Sequence, residues 1–101
     1  MKLVIMTLVD AHKADMIRIL KGANIFNYSE IDIAGFKNSE TSGLHLNWFA
    51  DKKIGADSEL FFSFTEDEKV DSLLESIKAF NNSIESNSPI KAVVVPIERY
   101  V

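Results

Sequence analysis

The chain contains no cysteine and carries fewer basic than acidic residues, 11 against 15, for a net charge of −4. The absence of cysteine excludes disulfides, thiolate zinc sites and nucleophilic thiols. The acidic balance argues against a nucleic-acid partner, which needs a basic patch or stripe. No apolar run approaches the roughly 20 residues that cross a bilayer, and the short N-terminal run lacks a cleavage site, so we interpret it as a strand. A cytoplasmic location without direct membrane insertion is therefore expected.

The length and apolar content predict one domain spanning residues 1–101. The chain has 101 residues, of which 47% are hydrophobic. A domain of this size buries roughly 60–70% of the surface of its unfolded chain, so this apolar content suffices for a core. A long connection at about residues 37–58 interrupts the pattern of helices and strands. Connections of this length are usually functional or disordered.

The first half of the chain predicts a strand followed by an amphipathic helix. Residues 2–9 are apolar on both alternating faces, which is typical of a central strand. Asp10 is a candidate N-cap for a helix over residues 11–23, and Gly22 and Asn24 are typical of a helix end. The predicted helix buries apolar residues at helical spacing; they are Ala14, Ile17, Leu20 and Ala23.

The second half predicts two middle strands, a helix and a last strand. Residues 28–36 alternate and predict an edge strand, and residues 59–64 predict another strand. Thr65 and Glu68 form a candidate capping box for a helix that ends near residue 82. Its apolar stripe is Val70, Leu73, Leu74, Ile77 and Phe80. Residues 90–97 predict a final strand, which should lie at a sheet edge or break at Pro96 because proline cannot donate a ladder hydrogen bond.

The resulting order, β-α-β-β-α-β, predicts an α+β ferredoxin-like sandwich. In this fold a four-stranded antiparallel sheet carries two helices on one face. The predicted strands are apolar on the opposite face too, and a bare face of that kind exceeds the apolar patch that soluble monomers tolerate. The sequence therefore predicts a homo-oligomer.

Three segments resemble the PII signalling family and its PII-like relatives. "HKADMIRILKGANI" is similar to the family's first helix and following turn, and "AGFK" stands where the family has a Gly-Phe-Gly turn before its long T-loop. "KAVVVPIE" matches the family's last strand. "NSIESNSPIK" replaces the family's glycine-rich phosphate segment and keeps only Lys91, so the resemblance indicates a PII-like protein rather than a classical PII protein.

The resemblance implies a non-enzymatic regulatory trimer that binds a small ligand, an adenine nucleotide or another anion, in clefts between subunits. Lys91, Lys37, Gly35 and Arg99 are the candidate ligand-binding residues. The T-loop position implies contact with a partner, either a membrane transporter or a regulatory protein. The candidate contact residues of the loop are His45, Trp48, Asp51, Lys52 and Lys53. The alternation of Leu44, Leu46 and Trp48 is equally typical of a strand extension that packs on the protein itself.

Two alternatives remain open. CutA-type trimers share the fold and the valine- and proline-rich last strand, and would handle a divalent metal through histidine and carboxylates. A dimeric ferredoxin-like monooxygenase would use "HLNW", residues 45–48, as its reactive segment. Against an enzyme, the sequence contains no Ser/His/Asp spacing, no H-E-x-x-H and no phosphate-binding G-x-x-x-x-G-K. We expect no catalytic residues and no metal ligands.

Overall fold

The computed structural model describes residues 1–35, 56–85 and 88–101. The strands and helices follow the predicted order and confirm the α+β ferredoxin-like fold. The elements are β1 (Lys2–Val9), a short 3-10 turn (Asp10–His12), α1 (Lys13–Gly22), β2 (Ser29–Gly35), β3 (Ala56–Thr65), α2 (Asp67–Ser83) and β4 (Lys91–Pro96).

The four strands form one antiparallel sheet in the order β2-β3-β1-β4. β1 is central, as its two apolar faces predict, and β2 and β4 are the edges. Residues opposite each other in an antiparallel pair point to the same face. The register pairs Met6 with Phe61 and with Ala92, so these three share the face that the helices cover.

The core lies between that face of the sheet and the two helices. Val4, Met6 and Phe61 from the strands are fully buried there, together with Leu20 of α1 and Leu73 of α2. The predicted stripe of α2 is confirmed, with Leu74 and Phe80 partly buried at its margin. The burial of a large core side chain contributes about 1.5–3 kcal/mol.

The buried stripe of α1 differs from the prediction by a small rotation of the helix. Met16 and Ile19 are buried with Leu20 and Ala23, whereas the predicted Ala14 and Ile17 are exposed. The 3-10 turn before α1 is tighter than an α-helix, so the helix starts later and in a different phase.

The end of α1 is closed by the two hydrogen bonds of a Schellman motif. The Ile25 amide donates to the Leu20 carbonyl at 2.9 Å, and the Asn24 amide donates to the Lys21 carbonyl at 3.0 Å. Asn24 adopts the left-handed conformation, with φ 59°. Asparagine tolerates this region better than other residues with a side chain. The predicted role of Asn24 at the helix end is confirmed.

The two predicted N-terminal caps are wrong. Asp10 lies inside the 3-10 turn, and neither that turn nor α1 has a side-chain cap. Thr65 ends β3 opposite Lys2, and its hydroxyl lies 3.1 Å from the Ser63 hydroxyl and 3.4 Å from the Ser63 carbonyl. Because sheet pairing fixes Thr65, the N-cap position of α2 falls to Glu66, without a capping side chain.

β4 is an edge strand and ends at Pro96, as predicted. Asn81, near the end of α2, holds the start of this strand. Its side-chain Nδ2 donates to the Ile90 carbonyl, and the Ile90 amide donates to its Oδ1, both at 2.9 Å. The side-chain amide therefore pairs with Ile90 as a neighbouring strand would.

Among the described helices, neither α1 nor α2 combines the length and the apolar character that a bilayer crossing requires.

Candidate functional site

The strands place two predicted site residues, Lys91 and Gly35, at one end of the sheet, which we call the loop end. Here β2 finishes at Gly35, paired with Ala56 at the start of β3, and β1 finishes beside the start of β4. The long connection therefore leaves and re-enters the sheet at this end.

Lys91 lies at the loop end, opposite Thr7, and is half-buried. Gly35 lies at the same end on the other edge strand. Three strand spacings of about 4.8 Å separate the two edges, and Lys91 is level with Ile31, four residues of about 3.3 Å each from Gly35. Lys91 and Gly35 therefore lie about 20 Å apart within one chain. Arg99 follows Pro96, at the opposite end of the sheet, and is exposed. One chain therefore does not bring Lys91, Gly35 and Arg99 together.

The other predicted site residues lie outside the described residues. They are Lys37 of the ligand-binding set and His45, Trp48, Asp51, Lys52 and Lys53 of the partner-contact set. The segment of residues 45–48, the alternative reactive segment, lies there too.

The sheet face away from the helices, which we call the open face, is lined by apolar side chains in register. The outward-facing side chains of the four strands include Leu3, Ile5, Ile31, Leu60, Phe62, Phe64, Val93 and Val95. Phe64 is 60% exposed, Ile31 51% and Val95 40%. Phe62 and Phe64 contact each other edge to face, with ring centroids 6.4 Å apart. Neither described helix packs on this face.

A cleft beside the edge of this face carries further aromatic residues. Its volume is about 350 Å³, and its lining includes Phe26, Tyr28, Phe62 and Phe64. Phe26 is 65% exposed. The cleft extends the apolar character of the open face to the segment between α1 and β2.

A cluster of carboxyl groups, which we call the carboxyl triad, lies at the loop end on the helix side of the sheet. Its members are Asp10, Asp32 and Glu59, which line a cleft of about 270 Å³. Asp32 and Glu59 are directly opposite each other on β2 and β3. Glu59 is only 4% exposed, and its Oε2 atom has no hydrogen-bond partner among residues 1–35, 56–85 and 88–101. A buried charge of this kind is costly unless it is neutralised.

Burial and the neighbouring acids act in the same direction on Glu59. Burial, Asp32 as a hydrogen-bonding and charged neighbour, and Asp10 together raise the pKa of Glu59 from 4.5 to about 7, against a smaller opposing effect of Lys13. The Lys13 ammonium lies 3.3 Å from Glu30, and this contact raises the pKa of Lys13. Its charge is therefore shared between Glu30 and the triad.

Sequence reasoning missed the carboxyl triad, although one signal was present. The period of two along β3 places Glu59 on the same face as Phe61, which is a core position. A carboxylate at a core position is rare unless it is paired. The contribution of Asp10 was hidden by its assignment as a helix cap.

Within residues 1–35, 56–85 and 88–101, no group of three or more histidine, aspartate and glutamate side chains is arranged to hold a metal ion. The carboxyl triad therefore lacks metal-ligand geometry.

Comparison with known proteins identifies the class of fold. No family model and no curated protein matches the sequence. Solved structures of CPII from Thiomonas intermedia K12, a nitrogen regulatory PII-like protein, do match. The CPII structure with ADP, AMP and bicarbonate has a TM-score of 0.64 at 17% identity, covering 99% of this chain and 94% of that chain.

Two further CPII structures match as well. The apo form has a TM-score of 0.64 at 17% identity, with 98% and 92% of the two chains covered. The form with ADP, AMP and acetate has a TM-score of 0.63 at 15% identity, with 97% and 88% covered. At these identities the likeness establishes the fold. The chain therefore has the ferredoxin-like fold of PII-like proteins over nearly its whole length.

Proposed function

We propose that the protein is a non-enzymatic, PII-like regulator that assembles as a homotrimer and binds a small anionic ligand between subunits. The observation that carries the proposal is the apolar open face on a fold shared with PII-like proteins. The connection at residues 37–58 would contact the partner, a transporter or a regulatory protein, at the loop end of each subunit.

The open face supports assembly through the sheets. Its aromatic and branched side chains form a patch across all four strands, and its area favours burial at about 25 cal/mol per Å². Association through this face leaves the helices outside. It also brings the edge strands of different copies together, which can unite residues that one chain keeps apart.

Lys91 is the centre of the proposed ligand site. Its ammonium group lies at the loop end, where it can attract a phosphate or a carboxylate of a ligand. The CPII structures hold ADP, AMP and bicarbonate or acetate. We transfer only the chemical class to this chain, an adenine nucleotide with a small anion. We propose that Gly35, Lys37 and Arg99 of neighbouring copies join Lys91 at this ligand site. A bound ligand would favour one arrangement of the partner-contact residues over another.

The oligomeric state is tested by light scattering on the full chain at micromolar concentration. We expect three times the chain mass of 11.3 kDa. A monomeric mass would contradict the proposal, and a dimeric mass would favour the monooxygenase-type alternative.

Ligand binding is tested by calorimetry with ATP, ADP and AMP, each with and without bicarbonate. We expect binding by the wild type, weakened by Lys91→Ala. Lys78→Ala is the matched control, because Lys78 is an exposed lysine on α2 and its side chain is 71% accessible. Absence of binding to the whole panel by the wild type would remove the ligand from the proposal.

The partner-contact role is tested by deleting residues 40–53. The variant should keep the oligomeric mass and the ligand affinity, and should lose binding to a partner that the full chain binds as a purified protein. If the deletion unfolds the chain, the segment is part of the scaffold and not a contact surface.

A further inference from the structure

We propose that Asp10, Asp32 and Glu59 form a proton-binding site that makes the pairing of β2 with β3 at the loop end sensitive to pH. The proton comes from solvent and binds the Glu59 carboxylate, whose O–H then donates to Asp32. The residues of this site play no part in the proposed ligand or partner contacts.

The position of Glu59 leaves its negative charge poorly compensated. Its side chain lies in the cleft with the other two carboxyl groups and is 4% exposed, and Oε2 receives no hydrogen bond from any residue that the structure describes. When Glu59 and Asp32 are both ionised, they have no proton to share and their negative charges repel each other. When Glu59 is protonated, one hydrogen bond replaces this repulsion and satisfies a buried polar group.

Three of the elements packed around Glu59 contribute charges, whereas β1 places the apolar Leu8 opposite it. β2 supplies Asp32, directly opposite, and Glu30. The 3-10 turn supplies Asp10, and α1 supplies Lys13, the single cation within the described part of the chain that acts on Glu59. The Lys13 ammonium contacts Glu30 at 3.3 Å, so one positive charge serves four acids. Proton binding by the triad relieves this imbalance without a metal ion.

The two strands that flank the long connection carry the opposed acids. Like charges directly opposite each other on neighbouring strands are destabilising. When the site is empty, Asp32 and Glu59 repel each other, three residues from the last strand pair, Gly35 with Ala56. When the site holds a proton, the two side chains hold the strands together. Any effect on partner contact rests on the proposed function, but proton binding itself does not.

The site is tested by titrating the side-chain carboxyl carbons of the full chain by NMR. We expect Glu59 to titrate near pH 7, well above the ordinary glutamate value of 4.5. Asp32→Asn should lower the Glu59 midpoint, with an order-of-magnitude loss in proton affinity. Glu75→Gln is the control and should leave the midpoint unchanged. A Glu59 midpoint in the ordinary range of glutamate, or one that Asp32→Asn does not move, would overturn the proposal.

Hydrogen exchange provides a second measurement, which does not require the Asp32→Asn variant to fold. Protection factors of the β2 amides should fall between pH 6 and pH 8 in the wild type and stay constant in Glu59→Gln, whose amide cannot ionise. Equal pH dependence in both proteins would contradict the proposal.

The NMR titration of Glu59 is repeated with methylammonium chloride in place of sodium chloride. A lower Glu59 midpoint with methylammonium would assign the cleft to an organic cation instead of a proton.

Discussion

Glu59 illustrates how one residue on the core face of a strand can acquire a property that its neighbours lack. Phe61, two positions along the same strand and face, is fully buried among apolar groups. Glu59 is nearly as buried but is surrounded by acids, with a pKa raised to about 7. A core position thereby becomes a titratable one.

The raised pKa of Glu59 predicts that stability declines as the pH rises from about 4.5 to about 7. Below this window the carboxyl group is protonated in both the folded and the unfolded chain. Within it, the folded chain keeps a proton that the unfolded chain has lost, so each rise in pH favours unfolding. Above pH 7 both states are ionised and the contribution of Glu59 levels off.

This prediction is checked by measuring Tm across that window for the wild type and Glu59→Gln. The difference in Tm between the two proteins should grow in favour of Glu59→Gln as the pH rises. A difference that stays constant, or grows in the opposite direction, would show that Glu59 has no raised pKa in the folded chain.

Asn24 carries a second prediction at this scale, because it alone among the described non-glycine residues has a positive φ. Asn24→Ala should destabilise the chain by about 1 kcal/mol, since an ordinary side chain in the left-handed region costs about 1–2 kcal/mol. Asn24→Gly should be neutral or slightly stabilising. Urea denaturation measures both. Lys21→Ala, on the exposed surface of the same helix, is the control. Equal effects of alanine and glycine at position 24 would contradict the interpretation.

The sequence predicted the role of Asn24 at the end of α1, but it did not predict which residues precede the first turns of the two helices. Asparagine after a helical glycine is a local signal for a left-handed residue. The capping box failed because Thr65 belongs to the register of β3, and that register depends on β1, more than fifty residues away in sequence. Local patterns do not contain this information.

At the scale of elements, the connection between α2 and β4 depends on one side chain. Asn81 makes two hydrogen bonds to Ile90, which is only 2% exposed. Removal of the Asn81 side chain leaves the buried amide and the buried carbonyl of Ile90 without partners.

Asn81→Ala should therefore destabilise the chain by about 2 kcal/mol, because each unsatisfied buried group costs roughly 1–3 kcal/mol. Asn81→Asp should lose only the donated bond. Urea denaturation compares both with Asn82→Ala, an exposed neighbour on the same helix. If Asn81→Ala and Asn82→Ala have the same effect, the two hydrogen bonds do not hold the strand.

The elements themselves could be predicted because β1 is a continuous apolar run and the helical periodicity of apolar residues is strong in α2. Pro96 fixed the end of β4 through its missing amide, and the alternation of β2 placed it at an edge. The Asn81 bridge could not be predicted, since nine residues of chain separate the partners and only the folded geometry aligns the amide with Ile90.

For the whole molecule, the open face links stability to association. If copies of the chain cover this face, folding and assembly become coupled, and Tm rises with protein concentration. Phe64 is 60% exposed, more than Ile31 or Val95 on the same face.

We expect Phe64→Lys to lower the oligomeric mass and to remove the concentration dependence of Tm. Ile17→Lys is the matched control, because Ile17 is an exposed apolar residue on α1, away from the open face. Light scattering and calorimetry at several concentrations measure the two effects. An unchanged mass for Phe64→Lys, or an equal loss for Ile17→Lys, would contradict assembly through the sheet.

At this scale the sequence predicted the fold and the apolar open face, because both follow from the order of elements and the alternation within each strand. It could not predict how the candidate ligand residues are distributed. Lys91 and Gly35 are both at the loop end, but strand order, which is a property of the whole sheet, puts them on opposite edges.

The two edge strands limit how chains can add to one another. Glu30 and Asp32 place negative charge along β2, and Pro96 interrupts the row of donors on β4. Charges and prolines on edge strands disfavour continuous strand addition between molecules. At the high local concentration that follows synthesis on a polysome, this sheet is therefore protected against open-ended fibril growth, while its broad face stays free to assemble.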